Sequence, residues 1–274
     1  MSLNTKTDCI QAFRKQVIET LNEKNAGIKD PEHPTVFDEL LDSKLSPEEK
    51  SVDRLTEEAQ VIVVAGAETT AWALVVAVYH LLANPSLLQR LKIELAQAIP
   101  DPSIMTPQTT LENLPYLSAV IKECLRLSYG ASSRLQRVPH EPLIFPTETK
   151  EWVIPAWTPV SMTSVIMHHQ ESIFPNSKEF NPERWIEDPH LDKYLVSFSK
   201  GSRSCLGMNL AYAEMYLWLS GVFRRFGSKE VRFEVDEGIL ELVNTGIEDV
   251  EIWADRLIPL LKPEREGVKI CVKP

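Results

Sequence analysis

The sequence predicts a mainly α fold with a small β portion. Long segments place apolar residues at helical spacing, and several begin at proline, which fits the first turn of a helix. After about residue 128 the pattern changes to short β-branched or aromatic segments broken by proline and threonine. The 274 residues are enough for one large domain or two small ones.

Six segments are predicted to be helical. Pro85 and Pro115 open two of them, and Thr56 precedes two acids that favour a helix N-terminus. Ser46, followed by proline and glutamate, is a further start signal. A polar loop over residues 25–35 separates the first two helices. The predicted helices are Ile10–Asn25, Val36–Leu41, Thr56–Ala83, Pro85–Ala98, Pro115–Leu127 and Met208–Phe226.

Short β-branched or aromatic segments predict two groups of strands. The first group forms one small antiparallel sheet beside the helical body, and the second group lies in the C-terminal tail. The first three strands are Leu143–Pro146, Glu151–Ile154 and Val160–Val165, and the tail strands are Val231–Val235, Ile239–Val243 and Val268–Val272.

The segment Thr56–Ala83 is long and apolar enough to cross a membrane. Glu68, Thr69 and Thr70 interrupt it at its middle, and an ionised glutamate is costly in lipid. A long helix through a protein core is therefore favoured. This polar segment has two possible roles. A hydroxyl beside an acid can handle protons in a site that excludes water. Alternatively, Gly66 is a packing glycine and its polar neighbours face solvent.

Charge and cysteine content exclude several classes of protein. A net charge of −10 and a pI near 5.2 argue against a nucleic-acid partner. The 4 cysteines are scattered, which predicts neither a disulfide framework nor a zinc site and favours a reducing compartment. The first residues contain no apolar signal core or membrane anchor.

The stretch Phe198–Gly207 places Cys205 in a loop ahead of a long helix. A thiol at a helix start meets the positive end of the helix dipole, which favours the thiolate, a soft metal ligand. Gly201 and Gly207 remove side-chain bulk, so a flat group can lie against the backbone, and Arg203 offers a cation to a carboxylate. The alternative is a buried structural cysteine.

Other polar residues are open to plain structural explanations. Glu123 and Arg126, three residues apart on a helix, fit a solvated surface pair. Arg134 and Arg137 could be surface arginines. His168 and His169 lack further ligands at a suitable spacing, so a structural role is favoured over metal binding.

The spacing Phe-x-x-Gly-x-Arg-x-Cys-x-Gly resembles the haem-binding signature of the cytochrome P-450 superfamily. Three motifs precede it in the family's order: Ala-Gly-x-Glu-Thr-Thr, Glu-x-x-Arg and Pro-Glu-Arg-Trp. The resemblance implies a fungal-type member and a truncated cytochrome P-450 fold, with a central long helix, a Glu-x-x-Arg helix, and the cysteine loop and its following helix. Residues 1–274 would be a single domain, the C-terminal part of the catalytic domain.

The resemblance also implies roles for individual residues. Cys205 would ligate the iron of haem b, with Phe198, Gly201 and Gly207 shaping its loop. Arg203 and Arg137 would bind the propionates, with Arg134 as the reserve. Residues 244–247 and 257–261 would contact substrate. Thr69 and Glu68 would handle protons. Glu123, Arg126 and Arg184 would form a buried charge network that holds the cysteine loop in place.

The implied reaction is the insertion of one oxygen atom from O2 into an apolar small molecule, such as a fungal secondary metabolite. Electrons would come from NADPH through an NADPH-cytochrome reductase, and full-length relatives are anchored in the endoplasmic-reticulum membrane facing the cytosol. The N-terminal portion of the family is expected to be absent. The alternatives are a non-catalytic haem-binding fragment, a haem-thiolate isomerase or dehydratase, and a helical scaffold without haem.

Overall fold

A computed structural model describes residues 3–27 and 35–274. The chain divides into two compact units, the first ending at Glu68 and the second comprising Thr69–Pro274. The helix α3 (Val52–Ala83) runs through this boundary. The single domain over residues 1–274 stays a prediction.

The first unit contains α1 (Leu3–Asn25), α2 (Val36–Asp42) and the beginning of α3. Thr35 begins α2 with a capping box, because its hydroxyl accepts the Asp38 N–H and the Asp38 carboxylate accepts the Thr35 N–H. The predicted loop between α1 and α2 lies largely outside the described residues.

The predicted helix starts at Ser46 and Thr56 are both wrong. Residues 47–50 form a turn, in which the Lys50 N–H donates to Pro47 O at 3.2 Å. The helix α3 begins at Val52, and the Leu55 N–H donates to Ser51 O at 2.9 Å. A proline can open a single turn as well as a helix, so the local signal does not decide between them.

The C-terminal half of α3 lies in the core of the second unit, in agreement with the prediction of a helix that runs through a protein core. Ala73, Val76, Ala77 and Leu81 are buried there, whereas residues 61–64 of the same helix are exposed. The helix α3 is long and apolar enough to cross a membrane by composition, a test that core helices also pass.

The second unit packs its α3 residues against further helices. Proline at the first turn opens α4 (Pro85–Ala98) and α6 (Pro115–Ser128), as predicted. The Glu94 carboxylate of α4 accepts the Tyr116 and Leu117 N–H groups at the start of α6, both at 2.8 Å. The remaining helices are α5 (Gln108–Leu111), α7 (Ser164–His168), α8 (Glu183–Glu187) and α9 (Met208–Arg225).

The strands of the middle region form two antiparallel pairs rather than one sheet. The strand β1 (Leu135–Arg137) pairs with β4 (Val160–Met162), and β2 (Leu143–Pro146) pairs with β3 (Glu151–Ile154). The strand β4 stops short of Val165 because Thr163 caps α7, its hydroxyl accepting the Val165 N–H at 3.2 Å.

The tail contains one small sheet and one hairpin. The strand β6 (Gly238–Leu242) lies between β5 (Phe226–Gly227) and β9 (Ile270–Lys273), parallel to the first and antiparallel to the second. The strands β7 (Ala254–Arg256) and β8 (Ile258–Leu260) form the hairpin.

The predicted strand Val231–Val235 is wrong. This segment turns instead, because the Asp236 carboxylate accepts the Phe233 N–H at 2.9 Å and the Asp236 N–H donates to Phe233 O at 3.1 Å.

Candidate functional site

The cysteine loop, Phe198–Gly207, leads directly into α9 and exposes its thiol. Cys205 is exposed three residues before the start of α9, and its N–H donates to Phe198 O at 2.9 Å. The Ser204 N–H donates to Gly201 O at 3.0 Å. These bonds fold the loop back on itself and leave the Cys205 side chain at the surface, so the alternative of a buried structural cysteine does not apply.

The two glycines of the cysteine loop lie beneath open space. Apart from its chain neighbours, a Cβ atom placed at Gly201 or Gly207 would have no atom of residues 3–27 and 35–274 within 4 Å. Gly201 has a φ of +78°, a left-handed conformation that glycine adopts without strain. The face of the loop beside Cys205 can therefore accept a flat group.

Three arginines were predicted near the site, and the structure ties one of them to the loop. The Arg137 guanidinium donates from Nη2 to Ser199 Oγ at 3.4 Å, which places this cation at the cysteine loop. Arg203 lies in the loop itself and is exposed. Within the described residues neither Arg203 nor Arg134 has a hydrogen bond or ion pair, so the structure ties neither guanidinium to a partner.

Glu123, Arg126 and Arg184 are in contact and buried, so Glu123 and Arg126 are not a surface pair. Glu123 Oε1 lies 2.8 Å from Arg126 Nη2 and 3.2 Å from Arg184 Nε. Two further donors, which sequence reasoning missed, also bind the Glu123 carboxylate: the Asn181 N–H at 2.8 Å and the Trp185 indole at 2.9 Å. Both belong to the Asn-Pro-Glu-Arg-Trp motif, so the motif supplies three donors to one carboxylate.

Arg126 contacts the chain ahead of the cysteine loop rather than the loop itself. Its guanidinium donates to the carbonyl oxygens of His168, Ser177 and Glu179 at 2.9, 2.6 and 3.0 Å. A neighbour on α6, Leu125, accepts a bond of 2.7 Å from Ser197 Oγ, immediately before Phe198. The network therefore contacts the chain ahead of the loop, and the helix α6 that bears it contacts the residue just before the loop through Leu125.

Both histidines of the His168–His169 pair have protein partners on both ring nitrogens. His168 lies between Arg126 O and the Val196 N–H. His169 contacts the Tyr129 hydroxyl at 2.7 Å and Ser177 Oγ at 3.1 Å. Burial lowers the pKa of each imidazole.

The polar residues of α3 lie at the boundary of the two units. Glu68 is exposed at the end of the first unit, and Thr69 is half-buried at the start of the second. Among the described residues, no atom beyond the helix's own backbone lies within 4 Å of a Cβ placed at Gly66, so this glycine makes no close packing contact with them.

The predicted substrate-contacting turn includes the tip of the β7–β8 hairpin. Leu257 is exposed there with a φ of +75°. Its carbonyl accepts the Ser132 N–H at 2.9 Å, and its own N–H donates to Ser133 Oγ at 2.9 Å. These bonds hold the backbone of Leu257 beside the segment that leads to Arg137.

A family profile described as cytochrome P-450 matches residues 2–245, most of the chain. The chain belongs to the cytochrome P-450 family. The order of motifs therefore reflects common descent, and the mainly α fold is that of this family.

Fungal cytochrome P-450 proteins are similar over nearly the whole chain. Cytochrome P-450 monooxygenase tpcC of Cochliobolus heterostrophus is 46% identical over 95% of this chain and 50% of that protein. Cytochrome P-450 monooxygenase astB of Talaromyces wortmannii is 47% identical over 96% of this chain and 54% of that protein. N-acetyltryptophan 6-hydroxylase ivoC of Emericella nidulans is 46% identical over 94% of this chain and 49% of that protein. The chain thus spans about half the length of these relatives.

Proposed function

We propose that this chain is the haem-binding part of a haem-thiolate monooxygenase, with Cys205 as the axial ligand of haem b. The observation that carries the proposal is the exposed Cys205 thiol in a loop whose face is open above Gly201 and Gly207. The described residues contain no group of three or more His, Cys, Asp and Glu side chains that could hold a bare metal ion. Haem needs only one protein ligand on this side, and a cysteine thiolate favours cleavage of the O–O bond.

Two arginines are proposed to hold the haem propionates. A guanidinium binds a carboxylate through two parallel hydrogen bonds. Arg137 is the better supported of the two, because its contact with Ser199 already places it at the cysteine loop. Arg203 is exposed within that loop and is the second candidate.

Proton handling is proposed for Glu68 and Thr69, which are adjacent on α3. Haem, when bound, supplies the iron that activates O2 with electrons from NADPH through an NADPH-cytochrome reductase. The Thr69 hydroxyl would hold and donate a proton, and the Glu68 carboxyl would replace it from solvent, since Glu68 is exposed. For the full-length protein, the family resemblance leads us to propose that the encounter with the reductase takes place at the cytosolic face of the endoplasmic-reticulum membrane.

The proposed substrate is an apolar small molecule, such as a fungal secondary metabolite, that is hydroxylated at a C–H bond. The exposed Leu257 side chain, on a backbone held by Ser132 and Ser133, offers an apolar contact of the required kind. The relative ivoC is named as an N-acetyltryptophan 6-hydroxylase, which supports aromatic molecules as the first substrates to test.

Reconstitution with haem tests the axial ligand. The chain is loaded with haem, reduced and exposed to carbon monoxide, and the Soret band is recorded. We expect the red-shifted band of a thiolate ligand in the wild type and in Cys271→Ala, a matched control in β9. The band must vanish in Cys205→Ala. A wild-type chain without this band contradicts the proposal.

A second measurement separates the reaction classes. Haem-loaded chain is mixed with NADPH, reductase and an apolar substrate, with and without O2. An oxygenated product that requires O2 supports the monooxygenase. Haem binding without product identifies a non-catalytic fragment, and conversion without reductase or O2 identifies an isomerase or dehydratase.

A further inference from the structure

His168 lies at the C-terminal end of α7, fully buried between α6 and the chain that enters the cysteine loop. Its Nδ1 is 2.8 Å from Arg126 O, and its Nε2 is 3.1 Å from the Val196 nitrogen. Val196 precedes the cysteine loop by two residues. A single imidazole therefore joins the Glu123–Arg126 helix to the approach of the loop.

The two partners fix the tautomer of His168. A carbonyl oxygen can only accept a hydrogen bond, so Nδ1 carries the proton and donates it to Arg126 O. A backbone N–H can only donate, so Nε2 presents its lone pair to Val196. Burial, joined by the positive charge of Arg126, lowers the pKa of His168 to about 3, which keeps the ring neutral.

The contacts around His168 are reciprocal on the side of Arg126. The His168 ring donates to Arg126 O at 2.8 Å, and Arg126 Nη1 donates to His168 O at 2.9 Å. The rings of His168 and Phe174 lie nearly perpendicular to one another, with centroids 6.2 Å apart. The position of His168 is thus set by Arg126, whose guanidinium is held by Glu123.

On the other side, the bond to Val196 continues into the loop through backbone bonds. Val196 O accepts the Ser199 N–H at 2.8 Å, and Phe198 O accepts the Cys205 N–H at 2.9 Å. The path from the charge pair to the cysteine thus runs through short, directed hydrogen bonds and a few peptide units.

We propose that His168 is a positioning residue that couples the buried Glu123–Arg126 pair to the Val196–Cys205 segment and so fixes the place of the Cys205 sulfur. The coupling deepens the proposed function, on which it rests for the meaning of that sulfur. Ser197 Oγ, bonded to Leu125 O at 2.7 Å, is a second attachment of the same segment, so loss of His168 loosens the loop without releasing it.

Two substitutions separate the bonds of the His168 ring. In His168→Asn the side-chain amide can still donate to Arg126 O but is too short to reach Val196. In His168→Gln the side-chain oxygen can accept from Val196, whereas the Arg126 carbonyl loses its partner. His169→Gln is the matched control, because His169 is adjacent and half-buried but bonds Tyr129 and Ser177 instead of the loop approach.

The readouts use the haem-free chain. Amide exchange at Val196 is expected to rise about tenfold in His168→Asn, the effect of losing one buried hydrogen bond, and to change little in His168→Gln. Amide exchange at Cys205, whose N–H donates to Phe198 O within the loop, is expected to accelerate severalfold in both variants. His169→Gln should match the wild type in both measurements.

Wild-type rates of Cys205 amide exchange in a folded His168→Asn chain overturn the proposal. The tautomer supplies a test that needs no variant: ¹⁵N spectroscopy of the wild type at neutral pH must show His168 protonated at Nδ1 alone. A proton on Nε2, or an imidazolium, overturns the proposal even if both variants fail to fold. All these measurements use the haem-free chain. The absence of a thiolate Soret band in the reconstituted chain would therefore refute the proposed function, but it would leave the role of His168 in positioning the loop unaffected.

Discussion

Replacing Glu123 with glutamine should unravel the buried charge network at its centre. Glu123 Oε1 accepts bonds from Arg126 Nη2, the Asn181 N–H and Arg184 Nε, and Oε2 accepts from Arg126 Nε and the Trp185 indole. A glutamine places an NH2 group on one of these two positions. In the better orientation, at the Oε2 position, the NH2 group faces two buried donors.

The magnitude follows from those lost acceptors. Two buried donors left unsatisfied cost about 1–3 kcal/mol each. A second, independent estimate comes from the ion pair: removing one partner of a buried ion pair costs about 3–5 kcal/mol. The two ranges overlap, and we expect Glu123→Gln to lower the free energy of unfolding by about 4 kcal/mol.

Urea unfolding followed by circular dichroism measures this change, with an unchanged slope as the sign that the native state is intact. Glu183→Gln is the matched control, because Glu183 pairs with Arg90 at the surface, where an ion pair contributes less than about 1 kcal/mol. A loss below about 1 kcal/mol in Glu123→Gln, or an equal loss in both variants, would refute the reasoning.

Three further changes test other parts of the second unit. Lys92→Met should lower the free energy of unfolding by about 3–5 kcal/mol, because buried Asp236 loses its cation, whereas Lys122→Met at the surface should cost less than about 1 kcal/mol. Gly130→Ala should destabilise clearly more than Gly267→Ala in urea titrations; both have positive φ, but only at Gly130 would the new Cβ overlap Ser197 O. Burial lowers the pKa of His80 to about 4 and of His168 to about 3, so the unfolded chain binds more protons below about pH 6.5. The free energy of unfolding should therefore fall on acidification by up to about 1.4 kcal/mol per pH unit for each histidine. His80→Phe should reduce this pH dependence. An unchanged pH dependence in His80→Phe would contradict the lowered pKa of His80.

The sequence predicted the elements whose signals are local. Pro85 and Pro115 mark the starts of α4 and α6 at the observed residues, and the β2–β3 hairpin has the predicted bounds. The stretch before α9 also predicts Cys205 as the haem ligand, and the structure shows its side chain exposed in the loop. Such features depend on backbone preferences and on side chains within a few positions of one another.

Local patterns failed where a distant group decides the conformation. The segment Val231–Val235 has the composition of a strand, yet Asp236 closes it as a turn, and Asp236 is itself held by Lys92, 144 residues away. The strand β4 pairs with β1 rather than with the β2–β3 hairpin. This pairing likewise depends on which strands the tertiary fold brings side by side. Spacing along the chain contains no information about such contacts.

The sequence by itself determined the family and the main helices, and it singled out the cysteine that is proposed to bind haem. Only the tertiary structure decided which polar groups share a buried site: the five bonds of Glu123, the burial of Lys92 and the two partners of His168. The physical reason is that a charged or polar side chain can be buried only where distant segments bring it complementary partners. Those partners come together only when the chain folds.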